Sequence, residues 1–402
     1  MNYDADWRTG IDYPGLRAYR KQRAQAAMAA AGLDAVVAFE YANGRYLAGL
    51  RPLWAPNFLV RQAVVMVRGS DEVVVFVHQD DTPHRRQTMT WVPPENVRAF
   101  PTGLVSESAP VEALQPLADA LRQLGCPGGR VGIDLATVTV LRKLVDLLPG
   151  YQVVDANACL NGARTVKSDT ELALLADASA VVDVAMDVAM AAAVPGAREC
   201  DVLAEVMATF YRYGAEVPQC NLIVCSGPNT APMQRFAGDR MIRRGDLVFM
   251  DIGACFNGLF SEATRTIACQ EPANDTQRAI YRTVYDIHRA TIDALRPGAT
   301  AADVQAAAAK HYQASPFHGQ MQEMIIAHGI GVGYAEPPFI APPGKTTPEL
   351  RLEPGMVLAV VPTIIVPGVA GGGGVRLEDV VAVTDDGPDV LTRAPFDQQL
   401  LG

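Results

Sequence analysis

The feature of this sequence that most constrains its fold is a pair of internal repeats in the second half. The segment VPGARECDV at 194–202 matches RPGATAADV at 296–304, and each segment stands between two long helix-like stretches. Farther along, RGDLV at 244–248 matches PGMV at 354–357, and each leads into an apolar strand-like run. Because the two matches occur in the same order at similar separation, we predict two related units with pseudo-two-fold symmetry and a site at their interface.

The first half has the alternating helix and strand signals of an α/β domain. Two apolar runs, 62–68 and 72–78, flank Gly69-Ser70-Asp71, a sequence typical of a hairpin turn. The other predicted elements are helices at 13–31, 110–124 and 137–148 and strands at 33–39 and 130–133.

The boundary between the halves is predicted near residues 157–167. Ser168 and Glu171 have the spacing of a capping box, which marks the start of a long helix over 170–193. A chain of 402 residues is long enough for two domains of ordinary size. We therefore predict an N-terminal domain over 1–160 and a C-terminal domain over 161–402.

The composition excludes several classes of protein. The net charge is −10 and no basic tract is present, which argues against nucleic acid or an anionic membrane as partner. A hydrophobic fraction of 49% is too high for a disordered chain. The seven cysteines include no CxxC pair, so neither a zinc knuckle nor a disulfide framework is indicated. The N-terminal residues lack a signal-peptide pattern, and Asp183 and Asp187 interrupt the most apolar helix, so we expect a cytoplasmic protein without a membrane span.

Three segments of the second half concentrate unusual polar residues. In 251–266, Asp251 ends an apolar strand and Glu262 follows on the return strand after an Asn-Gly turn, so the two acids can meet. The other two segments are AHGIGVGYAEPP at 327–338, with one histidine among glycines, and GGGGVRLED at 371–379, with charged residues in a strand-like run. Taken singly, an acid at a strand end, a lone histidine and a glycine run are more often structural, the glycines forming a mobile turn. Together and in this order they form a pattern.

That pattern resembles the pita-bread family of methionine aminopeptidases, aminopeptidase P, prolidase and creatinase. The matching motifs are GDLVFMDIGACFNGLFSEATRT, AHGIGVGYAEPP, PGMVLAVVP and GVRLEDVVAVTDDGPDVLT. The resemblance implies a creatinase-like α/β N-terminal domain and an α+β pita-bread catalytic domain with internal two-fold symmetry. The closing segment is more similar to creatinase and to the dimethylsulfoniopropionate lyases of this fold than to the peptidases.

The resemblance also implies a metal site with an altered set of ligands. Metal-dependent members hold two divalent ions with two Asp, one His and two Glu. The corresponding residues of this chain are Asp251, Glu262 in place of the second Asp, His328, Val361 in place of the first Glu, and Glu378. One ligand is lost and one is altered, so we expect either no metal or a single divalent ion on Asp251, Glu262, His328 and Glu378.

Without a metal, the ionisation of the same residues must be stabilised in another way. Several acids in one pocket cannot all ionise cheaply, so one pKa rises and that group becomes a general acid. Arg265 and Arg376 lie on the same strands as Glu262 and Glu378 and could instead neutralise the acids of the pocket as buried ion pairs. His328 is neutral if it binds an ion, whereas a proton-donating role beside the acids favours its protonated form.

Further residues are candidates for substrate binding. Two histidines of the family are absent, and Gln234 and Ala335 stand in their places. In creatinase-like dimers the N-terminal domain reaches the neighbour's active site, so we expect a homodimer in which an arginine and an indole meet a small zwitterion. The predicted substrate-binding residues are Arg51, Trp54, Arg61, Gln234, Tyr334, Glu336 and Arg376.

These observations predict an enzyme acting on a small polar or zwitterionic metabolite, with Asp251, Glu262, His328 and Glu378 as catalytic residues. The favoured reaction is hydrolysis of a C–N bond by water, with Glu262 or Glu378 as base. Xaa-Pro peptidase activity is not expected, since the peptidase histidines are missing. A lyase of the dimethylsulfoniopropionate-lyase type on the same site and a non-catalytic binding scaffold are the alternatives.

Overall fold

The computed structural model describes residues 10–51, 62–100, 111–218, 222–320 and 325–402. The chain divides into two compact units, Met1–Arg164 and Thr165–Gly402. None of the described helices is both long enough and apolar enough to cross a bilayer.

The first unit is an α/β sandwich of short elements around one sheet. Its strands run in the order β4-β3-β2-β1-β5-β6, with β1 parallel to β5 and antiparallel to β2. The elements are α1 (Tyr13–Ala30), β1 (Ala35–Ala38), α2 (Tyr41–Ala48), β2 (Ala63–Val67), β3 (Val73–His78), α3 (Thr82–Thr88), β4 (Val97–Phe100), α4 (Gln115–Gln123), β5 (Gly129–Ile133), α5 (Val138–Leu147), β6 (Tyr151–Asp155) and α6 (Asn157–Thr165).

The predicted hairpin of the first unit is confirmed, because β2 and β3 pair antiparallel on either side of the Gly-Ser-Asp turn. Helix α2 was not predicted. Its polar residues serve the fold: the Asn43 amide donates to the Asp134 carboxylate at 2.9 Å, and the Tyr46 hydroxyl donates to the carbonyl of Ala163 at 2.8 Å. These two side chains are therefore buried structural groups of the first unit.

The second unit carries a four-stranded sheet, a five-stranded sheet and the two-stranded pair β14-β15, with long helices beside them. One sheet has the order β10-β9-β7, with β8 also paired to β9, and the other has the order β12-β11-β13-β16-β17. The elements are α7 (Asp169–Ala192), α8 (Glu199–Arg212), β7 (Val217–Pro218), β8 (Ile223–Ser226), β9 (Leu247–Phe256), β10 (Leu259–Ala268), α9 (Asp275–Asp293), α10 (Ala301–Ala314), β11 (Ala327–Gly329), β12 (Glu336–Ile340), β13 (Val357–Val360), β14 (Thr363–Ile365), β15 (Gly374–Arg376), β16 (Asp379–Thr384), β17 (Gly387–Val390) and α11 (Gln398–Leu401).

The capping box at the start of α7 is confirmed. The Ser168 hydroxyl accepts from the backbone N–H of Glu171 at 3.2 Å, and the Glu171 carboxylate accepts from the backbone N–H of Ser168 at 3.0 Å. These reciprocal bonds satisfy two N–H groups that a helix start leaves without intrahelical partners. The predicted helix over 170–193 is thus present as Asp169–Ala192.

The predicted pseudo-two-fold symmetry is visible in matching backbone bonds. The N–H of Gly196 donates to Ile242, and the N–H of Gly298 donates to Leu352. The same pairs of segments are joined by the bridges Arg198–Met241 and Thr300–Arg351. Both glycines have φ above +80°, a conformation that glycine adopts without strain. The two repeats of the sequence are therefore equivalent turns between two helices. Each turn is hydrogen-bonded to the segment that leads into a strand, β9 in one half and β13 in the other.

The four consecutive glycines at 371–374 form a tightly packed turn, not the mobile one that the sequence alone favours. A Cβ atom at Gly374 would overlap the carbonyl oxygen of Thr230, and one at Gly372 would overlap the carbonyl oxygen of Gly227. The N–H of Gly374 also donates to the Thr230 hydroxyl at 3.1 Å. The run of glycines is needed because backbone approaches backbone directly before Arg376.

Gly374→Ala is expected to lower the free energy of unfolding by about 1 to 3 kcal/mol, since the added methyl forces the backbone of β15 away from Thr230. Urea denaturation followed by circular dichroism measures this change. Gly162→Ala is the control, because its Cβ would meet no atom within 4 Å. Equal urea midpoints for the wild type and Gly374→Ala would show that the turn accommodates the methyl group with no loss of stability.

Candidate functional site

The hairpin of β9 and β10 presents its acids on one face. Asn257 and Gly258 make the turn with φ of 49° and 82°, as an Asn-Gly hairpin requires. Thr264 lies opposite Asp251 and Glu262 lies opposite Gly253, so Asp251, Glu262 and Thr264 share a face. Both acids are almost fully buried. The predicted hairpin is confirmed, and it places Asp251 and Glu262 on the same face.

The second sheet brings His328 and Glu378 to the same side as each other. His328 lies opposite Ala359 on β13, and Ala359 lies opposite Val380 on β16. Glu378 is two residues before Val380, so its side chain points to the side of His328. Backbone bonds between Thr264 and Glu378, with N···O distances of 3.0 and 3.3 Å, then join the two sheets.

Glu262, His328 and Glu378 form one buried group. The Nε2 atom of His328 lies 3.2 Å from Oε1 of Glu262 and 3.8 Å from Oε1 of Glu378. One ligand atom from each of the three residues lies within 4.8 Å of the other two. The Thr264 hydroxyl donates to Oε2 of Glu378 at 2.7 Å and so orients that carboxyl.

Asp251 is held by an arginine. Nη1 of Arg376 donates to Oδ2 of Asp251 at 2.5 Å, and Nε of Arg376 donates to the Thr363 hydroxyl at 2.7 Å. Phe249 lies beneath the guanidinium, 5.5 Å from ring centroid to Cζ. The compensated charge explains how Asp251 stays buried at 4% exposure. Among the described residues, Asp251 is not a member of the group formed by Glu262, His328 and Glu378.

Of the two arginines that could neutralise the acids as buried ion pairs, Arg376 pairs with Asp251, whereas Arg265 does not pair with an acid of the candidate site. Arg265 instead donates from Nη2 to the Asp379 carboxylate at 2.7 Å, and it also binds the carbonyl oxygens of Glu378 and Ala394. Arg376 pairs with Asp251. The guanidinium of Arg265 therefore binds the backbone at Glu378 and the side chain of the next residue, Asp379. The Glu378 side chain belongs to the candidate site.

Burial shifts the pKa values of Glu378 and His328. Loss of solvent, reinforced by the nearby Asp251 charge, raises the pKa of Glu378 to about 8, while Arg376 acts in the opposite direction. Burial also lowers the pKa of His328 below its ordinary value. Of the two alternatives for His328, the neutral imidazole is therefore the favoured one, because the solvent that would stabilise a positive charge is excluded.

The hydrogen bond of His328 identifies its tautomer. Nδ1 lies 3.0 Å from the carbonyl oxygen of Gly329, which can only accept, so Nδ1 carries the proton. In the neutral ring Nε2 then presents a lone pair towards Glu262. Two such electron-rich atoms at 3.2 Å need a proton or a cation between them.

The group formed by Glu262, His328 and Glu378 fits one divalent ion. Carboxylates and a neutral imidazole are suitable ligands, and a histidine whose other N–H binds a backbone carbonyl is typical of metal sites. A bridged pair of ions does not fit, because Arg376 occupies Asp251 and Val361 offers only an apolar side chain. The described residues therefore offer a three-residue site for one ion, and both expected alternatives, no metal and a single divalent ion, stay predictions.

The other predicted substrate-binding residues are distributed differently. Glu336 is buried against Lys167, and the amide of Gln234 donates to the carbonyl of Phe236 at 2.7 Å. Tyr334 is 42% exposed and makes an edge contact with Phe260, which lies two residues before Glu262 on β10. Arg51 is exposed in the first unit, whereas Trp54 and Arg61 lie outside the described residues.

Three residues of the site were not identified from the sequence. Thr264 and Thr363 orient Glu378 and Arg376, and Lys167 pairs with Glu336. Thr264 carries a signal that could have been read, because it is two residues after Glu262 and so shares its face of the strand. Lys167 carries no local signal, since its partner Glu336 lies 169 residues farther along the chain.

Comparison with known proteins identifies the family. The model of metallopeptidase family M24 matches residues 173–385, and the creatinase/prolidase N-terminal domain matches residues 20–166. The chain belongs to metallopeptidase family M24. It has the two-domain creatinase/prolidase architecture with a pita-bread C-terminal domain, as the sequence predicts. This membership supports a hydrolase of C–N bonds as the general class of activity.

Several relatives carry peptidase names. A protein named putative dipeptidase YkvY from Bacillus subtilis is 32% identical over 268 residues, covering 67% of this chain and 71% of the relative. The Xaa-Pro dipeptidase of Pyrococcus furiosus is 34% identical over 230 residues, covering 57% and 64%. Among solved structures, dipeptidase PepE from Mycobacterium ulcerans matches with a TM-score of 0.78 at 29% identity, covering 96% of this chain and 98% of that one. Xaa-Pro dipeptidase from Bacillus anthracis matches with a TM-score of 0.79 at 22% identity, covering 95% and 99%, which supports the fold alone.

Proposed function

We propose that this family member hydrolyses a C–N bond in a small polar or zwitterionic metabolite and does not act as a general Xaa-Pro peptidase. The observation that carries the proposal is the ion pair between Arg376 and Asp251. Together with Val361 it reduces the two-ion site of the family to the group of Glu262, His328 and Glu378. Because the relatives are named as dipeptidases, peptidase activity is the first alternative to be tested.

In the proposed reaction, different residues of the group accept and donate protons. In the metal-free form of the proposed reaction, Glu262 accepts a proton from the attacking water, and Glu378, which burial holds in the protonated form, is placed to return a proton to the leaving nitrogen. Nε2 of His328 faces both carboxyls, 3.2 Å from Oε1 of Glu262 and 3.8 Å from Oε1 of Glu378. Arg376 holds Asp251 and keeps that charge compensated within the same pocket. Deprotonated Glu262 and Glu378 would hold one divalent ion together with neutral His328, and that ion would polarise the substrate and activate water in place of the general acid.

Turnover of a metabolite panel tests the proposal. Purified protein is incubated with amidines, N-substituted amino acids, betaines and Xaa-Pro dipeptides, and products are identified by mass spectrometry. Release of an amine or urea from a small substrate supports the hydrolase. Loss of a leaving group with formation of an unsaturated acid would instead indicate the lyase, and binding without turnover would indicate the scaffold.

We expect at most one tightly held divalent ion per chain. Glu262, His328 and Glu378 supply three ligand atoms, but the ligands needed to bridge a second ion are missing at Val361 and occupied at Asp251. Elemental analysis of protein purified without chelator and dialysed against Co²⁺ measures the occupancy. Two ions that survive extensive dialysis would contradict the assignment of the site.

Little or no Xaa-Pro dipeptidase activity is expected. Gln234 and Ala335 stand where the resemblance implies histidines near the peptide, and the Gln234 amide is bonded to a backbone carbonyl. Assays of Met-Pro, Ala-Pro and Gly-Pro with added Co²⁺, Mn²⁺ or Zn²⁺ measure this activity. Turnover at ordinary enzyme rates, about 10 per second, would establish a peptidase.

The quaternary structure is part of the same proposal. We infer a homodimer in which the N-terminal unit, through the region of Arg51, Trp54 and Arg61, contributes to the neighbour's site. The supporting observation is the match to the creatinase/prolidase N-terminal domain.

A further inference from the structure

A buried ion pair lies beside the loop that follows His328. Nζ of Lys167 is 3.1 Å from Oε1 of Glu336, and both side chains are only 3% exposed. The second carboxylate oxygen, Oε2 of Glu336, accepts from the backbone N–H of Gly333 at 3.2 Å. The backbone of Lys167 is itself fixed, because its N–H donates to the carbonyl of Gly355 at 2.8 Å.

The glycine-rich loop 329–335 is shaped around this pair. A Cβ atom at Gly331 would lie 2.9 Å from both Oε1 of Glu336 and Cε of Lys167. A Cβ atom at Gly329 would lie 2.6 Å from the carbonyl oxygen of Pro337. Gly331 therefore lets the backbone pass close to the ion pair, and Gly329 lets it pass close to the backbone of β12.

The same loop contacts both sides of the candidate site. The carbonyl of Gly329 accepts from Nδ1 of His328 and so determines which ring nitrogen faces the acids. The carbonyl of Gly331 accepts from the N–H of Phe260 at 2.7 Å, two residues before Glu262 on β10. A shift of the loop therefore moves His328 and Glu262 relative to each other.

We propose that Lys167 and Glu336 are positioning residues: their ion pair holds loop 329–335 in the one conformation that aims Nε2 of His328 at Glu262 and Glu378. Glu336, predicted from the sequence to bind substrate, then acts through the loop. A purely stabilising role is the weaker account, since a buried ion pair of this kind costs desolvation that a well-packed apolar pair avoids.

The test is the double variant Lys167→Met/Glu336→Met, which removes both charges, leaves the net charge unchanged and replaces the pair with side chains of similar volume. Two quantities are measured: the affinity for Co²⁺, and the ring ¹⁵N signals of His328 in histidine-labelled protein, assigned with His328→Ala. Positioning predicts a loss of Co²⁺ affinity of about 10- to 100-fold and a change in the His328 signals.

The single variant Lys167→Met separates positioning from through-space charge. Removing a cation near the site would raise Co²⁺ affinity if only charge mattered, whereas loss of positioning lowers it. Val206→Ala, at a fully buried position of α8, is the control for lost stability. It is expected to lower the urea midpoint without changing the His328 signals.

Unchanged affinity and unchanged His328 signals in a folded double variant would overturn the proposal. The same changes in Val206→Ala would also overturn it, because they would follow from instability alone. The affinity measurement rests on the proposed function, but the His328 signals do not. If the wild type binds no Co²⁺, the proposed ion site is wrong, and the His328 signals still decide whether the pair positions the ring.

Discussion

His328→Ala is expected to lower kcat/KM on the true substrate by about 10³-fold or more, because Nε2 is the atom that both Glu262 and Glu378 face. The fold is expected to persist. The backbone N–H and C=O groups of β11 pair with β12 and β13 whatever the side chain. The measurement is steady-state turnover on the substrate found in the metabolite panel, with circular dichroism as the check on folding.

His84→Ala serves as the matched control for His328→Ala. His84 is an exposed histidine of α3 in the first unit, and its backbone carbonyl accepts from the Thr88 hydroxyl at 3.0 Å. Its replacement is expected to leave turnover within twofold of the wild type, about the scatter of such assays. Full activity of His328→Ala would show that the chemistry lies elsewhere and would direct attention to the region around Arg51.

Val361→Glu is expected to raise the affinity for Co²⁺ by about tenfold or more, because charged ligands tune the affinity of a metal site. Val361 lies six residues after Gly355, as Asp251 lies six residues after the equivalent Gly245. It is two residues beyond Ala359, which pairs with His328, so its side chain points to the side of His328. Isothermal titration calorimetry of the apoprotein measures the change.

The same variant carries a second signature. A carboxylate at this buried position, where Val361 is 5% exposed, destabilises the protein unless an ion compensates its charge. The thermal midpoint of Val361→Glu is therefore expected to fall without metal and to rise with Co²⁺ by more than that of the wild type. Val361→Gln is the control, since it has the same size but no charge. Equal Co²⁺ affinity in the Glu and Gln variants would refute the placement of residue 361 beside the ion.

Local sequence signals predicted helix starts and turns correctly where the residues that determine them lie within one short segment. The Ser168–Glu171 capping box, the Asn257-Gly258 turn and the Gly-Ser-Asp hairpin each depend on residues a few positions apart. Helix α2 was missed because seven of its eight residues are buried, so its sequence lacks the apolar-polar period of a surface helix. The packing of the four glycines was missed because their neighbours, such as Thr230, are distant in sequence.

For the candidate site, the sequence alone determined which side chains are available. The hairpin pattern predicted that Asp251 and Glu262 can meet, and the family resemblance implied the set of Asp251, Glu262, His328 and Glu378 with Val361 in place of one Glu. Only the tertiary structure decided how the charges pair. Two arginines and several acids lie on neighbouring strands, and the sequence cannot rank pairs such as Arg376–Asp251, which are 125 residues apart. The choice depends on strand register and on which charge loses its solvent, and both are set when the two sheets pack together.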